Sequence, residues 1–244
     1  MTFLLLTIAT LLTSIISGVL SMAGGMILMG VFAFFLPVPA AMVLHGIAQA
    51  FSNGSRVWIY RRHIHWPVLG WYTLGALAVV SLFALFTFVP NPGVIFLLIG
   101  SFPFLSRLMP ASISLDMTRP GVAVTSGLLV TAAQMLAGAS GPVLDLFYVR
   151  SSMTREQVLG TKAVTQTLGH VLKLLYYGFI MVGAAATLPP WVFPAVVTAA
   201  IAGNYLASMI VRRISDELFR RAGTIVIMLM GLIFLGKGVY ELLP

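Results

Sequence analysis

The sequence predicts an all-α integral membrane protein made of two inverted repeats, each a broken or re-entrant helical hairpin followed by three transmembrane helices. Composition is the first reason: 59% of the 244 residues are hydrophobic, only 8% are charged and the mean hydropathy is +1.03. Such a chain cannot assemble a soluble surface. The second reason is a pair of apolar runs that are too long for one membrane crossing. The third is a stripe of polar residues that occurs twice in apolar surroundings.

The apolar runs define the elements in chain order. They fall at 2–35, 38–60, 66–89, 92–106, 120–149, 156–183, 190–211 and 222–242. As straight helices, the first and the fifth would be roughly 45–50 Å long, against a hydrocarbon core of roughly 30 Å. Small residues interrupt both of them, at Ser17-Gly18 and Ala23-Gly24-Gly25 in the first and from Ala137 to Pro142 in the second. Glycine and proline there let the chain leave the helix, so each long run is predicted to be a hairpin.

Arginine placement sets the topology. If every run crossed the membrane once, Arg150, Arg155 and the arginines of 212–221 would lie on the side opposite Arg61 and Arg62. If the two long runs re-enter instead, every arginine except Arg56 lies on one side, in the loops 61–65, 107–119, 150–155 and 212–221. The loops on the other side, at 36–38, 89–93 and 184–190, carry no charged residue. The second arrangement obeys the positive-inside rule and is preferred.

This topology divides the chain into two halves. Residues 1–106 form the first repeat, 107–119 a cytoplasmic connecting loop, and 120–244 the second repeat. Three crossings follow each hairpin, and three is an odd number, so the second half enters from the opposite side. Inverted repeats with broken helices that meet near the membrane midplane are typical of alternating-access transporters.

The hairpin tips are candidate anion sites. Unwound backbone at membrane depth is tolerated where it faces protein or a polar cavity, and the N–H groups at a helix start attract anions. The expected contacts are Ser21, Ala23, Gly24 and Gly25 in the first tip, and Gly138, Ala139, Ser140 and Gly141 in the second. The alternative is that these small residues only allow close helix packing.

Two matching polar stripes are the second candidate. The first consists of His45, Gln49, Asn53, Arg56 and Tyr60, whose spacing puts them on one face of a helix. A shift of 117 positions gives the second stripe, Lys162, Gln166, His170, Lys173 and Tyr177. Polar and cationic groups inside a membrane are costly and usually mark a substrate path. All of them except the two tyrosines are predicted to bind the substrate.

Some of these residues have a structural alternative. Arg56 lies near a helix end and can extend towards the loop arginines. His45 and His170 can be packing histidines. Asp145 is the one acid inside an apolar run, and we expect a structural ion pair with Lys162 or Arg150. Asn204 lies midway along its run and either lines the path or bridges helices.

Several function classes are excluded or disfavoured. The sequence has no cysteine and none of the usual hydrolase, phosphate-loop or zinc-protease motifs, so we expect no enzyme activity, no metal and no cofactor. The net charge of +8 lies mostly in short loops, which is a topology signal and not a nucleic-acid surface. Because only six acids are present, we expect uniport, exchange or coupling through a histidine instead of a carboxylate cation site.

Two segments resemble a known transporter family. Residues 17–66 read SGVLSMAGGMILMGVFAFFLPVPAAMVLHGIAQAFSNGSRVWIYRRHIHW, and residues 134–178 include GASGPVL and VLGTKAVTQTLGHVLKLLYYG. Their order and spacing resemble the two halves of the TauE/SafE (TSUP) family of sulfite and sulfonate exporters, over essentially the whole chain. Two departures concern the substrate: the first tip reads Met22-Ala23-Gly24-Gly25, where the family more often has a third glycine, and His45 stands where the family often has a small hydroxyl residue.

The resemblance implies a multi-pass carrier of the bacterial inner membrane. Its expected substrates are small sulfur-containing anions such as sulfite, sulfoacetate or other sulfonates, with export as the expected direction and alternating access around a central site. An anion channel of the same fold is the alternative. The expected partners are the anion and membrane lipid, and a homodimer is compatible with the sequence.

Overall fold

The computed structural model describes residues 1–20, 23–86, 88–108, 115–148, 151–180, 188–211 and 216–243, and these residues form α-helices and short connections. The helices are α1 Thr2–Leu20, α2 Ala23–Phe35, α3 Val38–Tyr60, α4 Trp66–Phe86, α5 Pro92–Leu108, α6 Pro120–Ala137, α7 Gly141–Tyr148, α8 Arg155–Leu175, α9 Val192–Val211 and α10 Asp216–Leu242. A 3₁₀ turn, Arg61–His63, follows α3, and a π-helical turn, Tyr176–Ile180, follows α8.

Each of the long apolar runs forms two helices, but only the second is broken at the predicted residues, since α1 continues through Ser17 and Gly18 and α2 begins at Ala23. The first is divided into α1 and α2, which pack against each other. The second is divided into α6 and α7 at Gly138, whose φ of 73° ends α6 in the left-handed conformation while its N–H donates to the Gln134 carbonyl. That conformation suits glycine and is a common way to end a helix.

The helix boundaries follow local capping chemistry. Pro37 precedes α3 and Pro120 begins α6, as suits a ring whose fixed φ matches the first helical turn. Thr154 and Gln157 form a capping box at the start of α8. The last helix begins at Asp216, earlier than the apolar run that starts at residue 222. The charged segment 216–221 therefore belongs to the same helix as the apolar run that follows it.

Polarity is arranged as in a membrane protein. Large apolar side chains such as Leu12, Leu85 and Ile233 are exposed. Polar side chains are buried, including Thr10, Ser14, Ser17, His45, Gln49, Ser52, Asn53, Thr131, Gln134, Ser140, Lys162, Thr165, His170 and Lys173. Three helices of the described residues are long and apolar enough to cross a membrane: Trp66–Phe86, Pro120–Ala137 and Thr224–Leu242. An apolar exterior, together with polar side chains that are buried inside an apolar core, fits lipid as the surrounding solvent.

The helix pairs follow a reciprocal pattern. The helix α1 packs against α9, and α6 packs against α4. The helix α3 packs against α8, and α5 against α10. If α1 to α5 are exchanged in order for α6 to α10, the pair α1–α9 becomes α6–α4. The pairs α3–α8 and α5–α10 are unchanged by the same exchange. The helices α4 and α6 lie so close together that a Cβ on Gly75 or on Gly127 would overlap the backbone of the opposite helix. Glycine at these two positions therefore permits the contact.

Candidate functional site

Both hairpin breaks and both polar stripes border one small cavity. It encloses about 310 Å³ of space between its lining atoms and at its opening. Its lining residues are Ser17, Gly25, Met26, His45, Gln49, Asn53, Arg56, Gln134, Ala139, Ser140, Gly141, Gln166 and His170. Ten of the predicted tip and stripe residues, which are far apart in the chain, therefore meet at one place. Four other predicted residues are not in the lining, namely Gly24, Gly138, Lys162 and Lys173.

The first tip reaches the cavity through Gly25. Ala23 begins α2, and Gly24 and Gly25 follow within its first turn. A Cβ on Gly24 would overlap the Thr13 carbonyl, so this glycine lets α2 lie against α1. A Cβ on Gly25 would lie 3.3 Å from Oε1 of Gln49, inside the cavity wall. Ser21, also predicted for this tip, lies outside the described residues.

The helix α3 presents hydrogen-bond donors without partners. Nη2 of Arg56 donates to Oδ1 of Asn53 at 2.7 Å. Because this bond uses the amide oxygen of Asn53, its amide nitrogen Nδ2 is the group that can donate to another acceptor. Nε of Arg56, Nδ2 of Asn53 and Nε2 of Gln49 are buried and have no hydrogen-bond partner among the described residues. Each unsatisfied buried donor costs on the order of 1–3 kcal/mol, so this convergence needs a functional reason.

The fully buried Lys173 joins the two tips. Its Nζ lies 2.8 Å from Nδ1 of His45 and donates to the Gly138 carbonyl at 2.9 Å. Nε2 of His45 lies 2.8 Å from the Gly25 carbonyl. Because a carbonyl only accepts, Nε2 of His45 carries the proton and Nδ1 accepts from Lys173. The chain Gly25–His45–Lys173–Gly138 thus links the start of α2 to the end of α6.

A second network surrounds His170. Oγ of Ser140 donates to Oε1 of Gln134 at 2.5 Å, and Nε2 of Gln134 lies 2.8 Å from Nδ1 of His170 and 3.3 Å from its Nε2. All three residues are buried and line the cavity. Since the Ser140 hydroxyl spends its one proton on Gln134, it faces the cavity as an acceptor in this arrangement. The expected role of Ser140 as an anion donor therefore depends on Gln134.

The structure does not bring Lys162 to the cavity lining. Its Nζ forms an ion pair with Oδ1 of Asp145, which confirms the expected structural pair. Asn204 bridges two helices, which was one of the two roles predicted for it. Its Nδ2 donates to the carbonyl of Ser52 at 3.0 Å and to Oγ of Ser52 at 2.9 Å. Gln166 does line the cavity, with a buried Oε1 that lacks a partner among the described residues.

Three lining residues were missed by sequence reasoning, namely Ser17, Met26 and Gln134. Gln134 carries the clearest signal that could have identified it, because it is a lone amide in an apolar run, four residues before the break at Gly138. Ser17 was recognised as part of a helix interruption, yet α1 continues through it to Leu20. Met26 looks like any other apolar residue of its run.

Comparison with known proteins identifies the family. The profile described as Sulfite exporter TauE/SafE matches residues 6–234, which is nearly the whole chain. The chain therefore belongs to the TauE/SafE family, and the predicted resemblance is confirmed. No curated protein and no solved structure matches the sequence. Family membership and the apolar helices together indicate a multi-pass membrane protein of a transporter family.

Proposed function

Starting from membership of the TauE/SafE family, we propose that this protein carries a small sulfur-containing anion, such as sulfite, sulfoacetate or another sulfonate, across the bacterial inner membrane. The anion binds in the cavity between the two tips, and alternating access moves it from one side to the other, with export as the expected direction. Residues 1–106 and 120–244 act as the two repeats, joined by the cytoplasmic loop 107–119.

One observation carries the proposal: buried donors on α3 that have no partner among the described residues converge at a cavity lined by residues from both parts of the chain. An oxyanion supplies the acceptors that Gln49, Asn53 and Arg56 lack. The guanidinium of Arg56 is always charged and suits a sulfonate or sulfite group. Lys173 contributes a second cation close to the cavity while its hydrogen bonds go to His45 and Gly138. The site is therefore electropositive and rich in donors, as an anion requires.

The reciprocal helix pairing supports the mechanism. If α1–α5 and α6–α10 are inverted repeats, each helix of the first set corresponds to one of the second, and the α1–α9 contact corresponds to the α6–α4 contact. Under that exchange the pair α1 and α2 corresponds to the pair α6 and α7, and the cavity is lined by Ser17 and Gly25 from the first pair and by Ala139 to Gly141 at the second. Rocking of the halves about this point opens the cavity to each side in turn.

The first experiment is ligand-dependent thermal stabilisation of the purified protein in detergent. The compounds are sulfite, sulfate, thiosulfate, sulfoacetate, taurine and carboxylates of similar size. A ligand that binds only the folded state raises Tm. We expect selective stabilisation by a sulfur anion, loss of that shift in the double variant Gln49→Ala/Gln166→Ala, and retention in Thr125→Ala, which alters an exposed residue of α6. Equal shifts with all anions, or none, contradict the proposal.

Transport itself separates a carrier from a channel of the same fold. In proteoliposomes, a carrier that alternates between two states shows counterflow: unlabelled sulfite inside accelerates entry of labelled sulfite. A channel has a continuous wet path, so it shows neither saturation nor such acceleration. Counterflow that the double glutamine variant abolishes is the expected result.

A further inference from the structure

We propose that His170 binds a proton that accompanies the anion, and that Gln134 couples the two by reversing its hydrogen bonds to Ser140 and His170. This inference rests on the proposed function and adds the identity of the coupled ion. It is carried by one geometric fact: the amide of Gln134 stands between a cavity-lining hydroxyl and a cavity-lining imidazole, and touches both.

In the observed arrangement each hydrogen bond has one direction. The Ser140 hydroxyl donates to Oε1 of Gln134, so the amide group turns its Nε2 towards His170. An amide nitrogen only donates, and the nearer ring nitrogen, Nδ1 of His170, must therefore accept. A ring that accepts at Nδ1 is neutral and carries its single proton on Nε2. The observed network is thus specific for neutral His170.

Protonation of His170 requires the opposite arrangement. When a proton from water adds to Nδ1, that atom becomes a donor and can no longer face the amide nitrogen. Rotation of the Gln134 amide by half a turn restores both hydrogen bonds: His170 donates to Oε1, and Nε2 donates to Oγ of Ser140. The Ser140 hydroxyl then has its own proton available for a ligand in the cavity. One O–H bond of the hydronium ion that supplies the proton breaks as the N–H bond forms, and no other covalent bond changes.

The anion favours this second arrangement in two ways. It accepts the hydrogen bond that Ser140 can now donate, and its charge offsets the new positive charge on His170. Without an anion, the ring lies among cations: the His45 ring is 5.4 Å away between centroids, and Lys173 and Arg56 also interact electrostatically with His170. Proton and anion therefore stabilise each other in the cavity.

The other ionisable groups on the elements packed against α8 do not supply a competing partner for this proton. On α7, Asp145 is engaged by Lys162. Tyr72 on α4, and Tyr176 and Tyr177 after α8, are phenols, which are neutral near pH 7. The turn after α3 carries Arg61, Arg62 and His63, all exposed. Tyr148 on α7 is a phenol as well. On α3, both ring nitrogens of His45 are engaged, because Nε2 donates to the Gly25 carbonyl and Nδ1 accepts from Lys173. Among the residues described, His170 is thus the imidazole that contacts Gln134, and imidazoles titrate near neutral pH.

A coupled proton has a consequence for transport. Movement of a monovalent anion together with one proton transfers no net charge. The direction of transport then follows the combined gradients of the anion and of the proton, and not the membrane potential.

The decisive measurement is the number of protons taken up when sulfite binds. Titration calorimetry of the whole protein at pH 7, in two amine buffers of different ionisation enthalpy, gives that number; amine buffers avoid sulfonate buffers, which could compete for the site. We expect the wild type to take up close to one proton more per sulfite than His170→Gln. Sulfite's own protonation is common to both proteins and cancels in the difference.

A second measurement observes the ring directly and does not need a binding-competent variant. The chain has four histidines, so ¹⁵N-histidine labelling gives few signals, which single substitutions assign. His170 is expected to carry one ring proton without sulfite and two with saturating sulfite. In Gln134→Glu the carboxylate accepts from both Ser140 and His170, so the ring is doubly protonated before sulfite is added and the extra proton uptake disappears. Ser126→Ala, a buried substitution elsewhere on α6, should leave the uptake unchanged.

The outcomes separate the two proposals. If sulfite binds but wild type and His170→Gln take up equal numbers of protons, or if His170 stays neutral when saturated, the coupling inference is wrong and the anion site stands. If none of the sulfur anions binds the wild type, the proposed function fails, and the inference fails with it.

Discussion

The two polar stripes correspond in sequence and differ in what the structure does with them. On α3, Gln49, Asn53 and Arg56 line the cavity with donors that have no partner among the described residues. On α8, the two cations are engaged: Lys162 pairs with Asp145, and Lys173 is hydrogen-bonded to His45 and Gly138. The α3 stripe keeps donors without a partner among the described residues, and the two cations of the α8 stripe contact neighbouring helices.

This difference shows that matching spacing in two segments does not give the matching residues the same contacts. The repeated spacing puts both stripes against the same cavity because α3 and α8 pack together. Which groups remain available to a ligand depends on neighbours supplied by other helices, such as Asp145 on α7. The predictions below test the asymmetry, beginning with the largest expected effect.

Removal of Asp145 should reduce stability the most. The side chains of Lys162 and Asp145 are 8% and 19% exposed, so Asp145→Ala leaves a largely buried, uncompensated ammonium. Breaking such a pair costs about 3–5 kcal/mol of unfolding free energy, whereas replacing both partners with apolar residues is often nearly neutral. Thermal unfolding in detergent should therefore show a large loss in Asp145→Ala and recovery in Asp145→Leu/Lys162→Met.

The same variants test whether Lys162 belongs to the anion site. If its role is structural, the double variant should bind sulfite with an affinity close to that of the wild type. A stable double variant that has lost sulfite binding would show that α8 contributes a cation to the ligand, and the proposed division of roles between the stripes would be wrong.

Substitution of Arg56 should weaken anion binding more than any other change on α3. Hydrogen bonds to charged groups are worth about 1.5–3 kcal/mol, so Arg56→Gln should raise the Kd for sulfite roughly 10- to 100-fold. Arg61→Gln is the matched control, because Arg61 is exposed and donates to the Trp58 carbonyl at the end of the same helix. Equal losses in the two variants would indicate a general effect of positive charge instead of a local contact.

Much of this architecture was readable from the sequence because a membrane imposes strong constraints. Length and small residues predicted that each long run forms two helices and located the break at Gly138, although α1 continues through Ser17 and Gly18. A regular helix converts the spacing of His45, Gln49 and Asn53 into one face. The partners of those residues were not readable. Lys173 and His45 are 128 positions apart in the sequence, and they come into contact only when α3 and α8 pack together. Gln134 was missed for the same reason, since its role depends on His170.

A methyl group at the first tip should have a smaller effect than loss of Arg56. In Gly25→Ala the new Cβ would lie 3.3 Å from Oε1 of Gln49 and 3.4 Å from its Cδ, so the side chain must shift slightly within the cavity. Overpacking costs on the order of 1–3 kcal/mol, and we expect the lower part of that range, which weakens sulfite binding about tenfold. Gly54→Ala, on α3 with open space around its Cβ, should leave the Kd unchanged. Unaltered binding in Gly25→Ala would place the ligand away from this tip.

The smallest expected effect lies in the connecting segment, where Asp116 accepts hydrogen bonds from Thr118 at 3.0 Å and from the residues before α8, Ser151 at 3.3 Å and Ser152 at 3.4 Å. Burial raises the pKa of Asp116, but the hydrogen bonds from Thr118 and Ser152 outweigh it, so the pKa lies below its usual value. A carboxyl with a lowered pKa in the folded state stabilises the protein above its unfolded pKa, and this stabilisation is lost as the pH falls through the folded pKa.

Asp116→Ala should therefore be less stable than the wild type at pH 7, by about 0.5–1 kcal/mol of unfolding free energy, and this difference in stability should narrow below about pH 4. Thermal unfolding of both proteins across this range gives the difference directly, because the other acids titrate in both and cancel. If the difference in stability between the two proteins stays constant with pH, Asp116 stabilises the segment through contacts that do not depend on its charge.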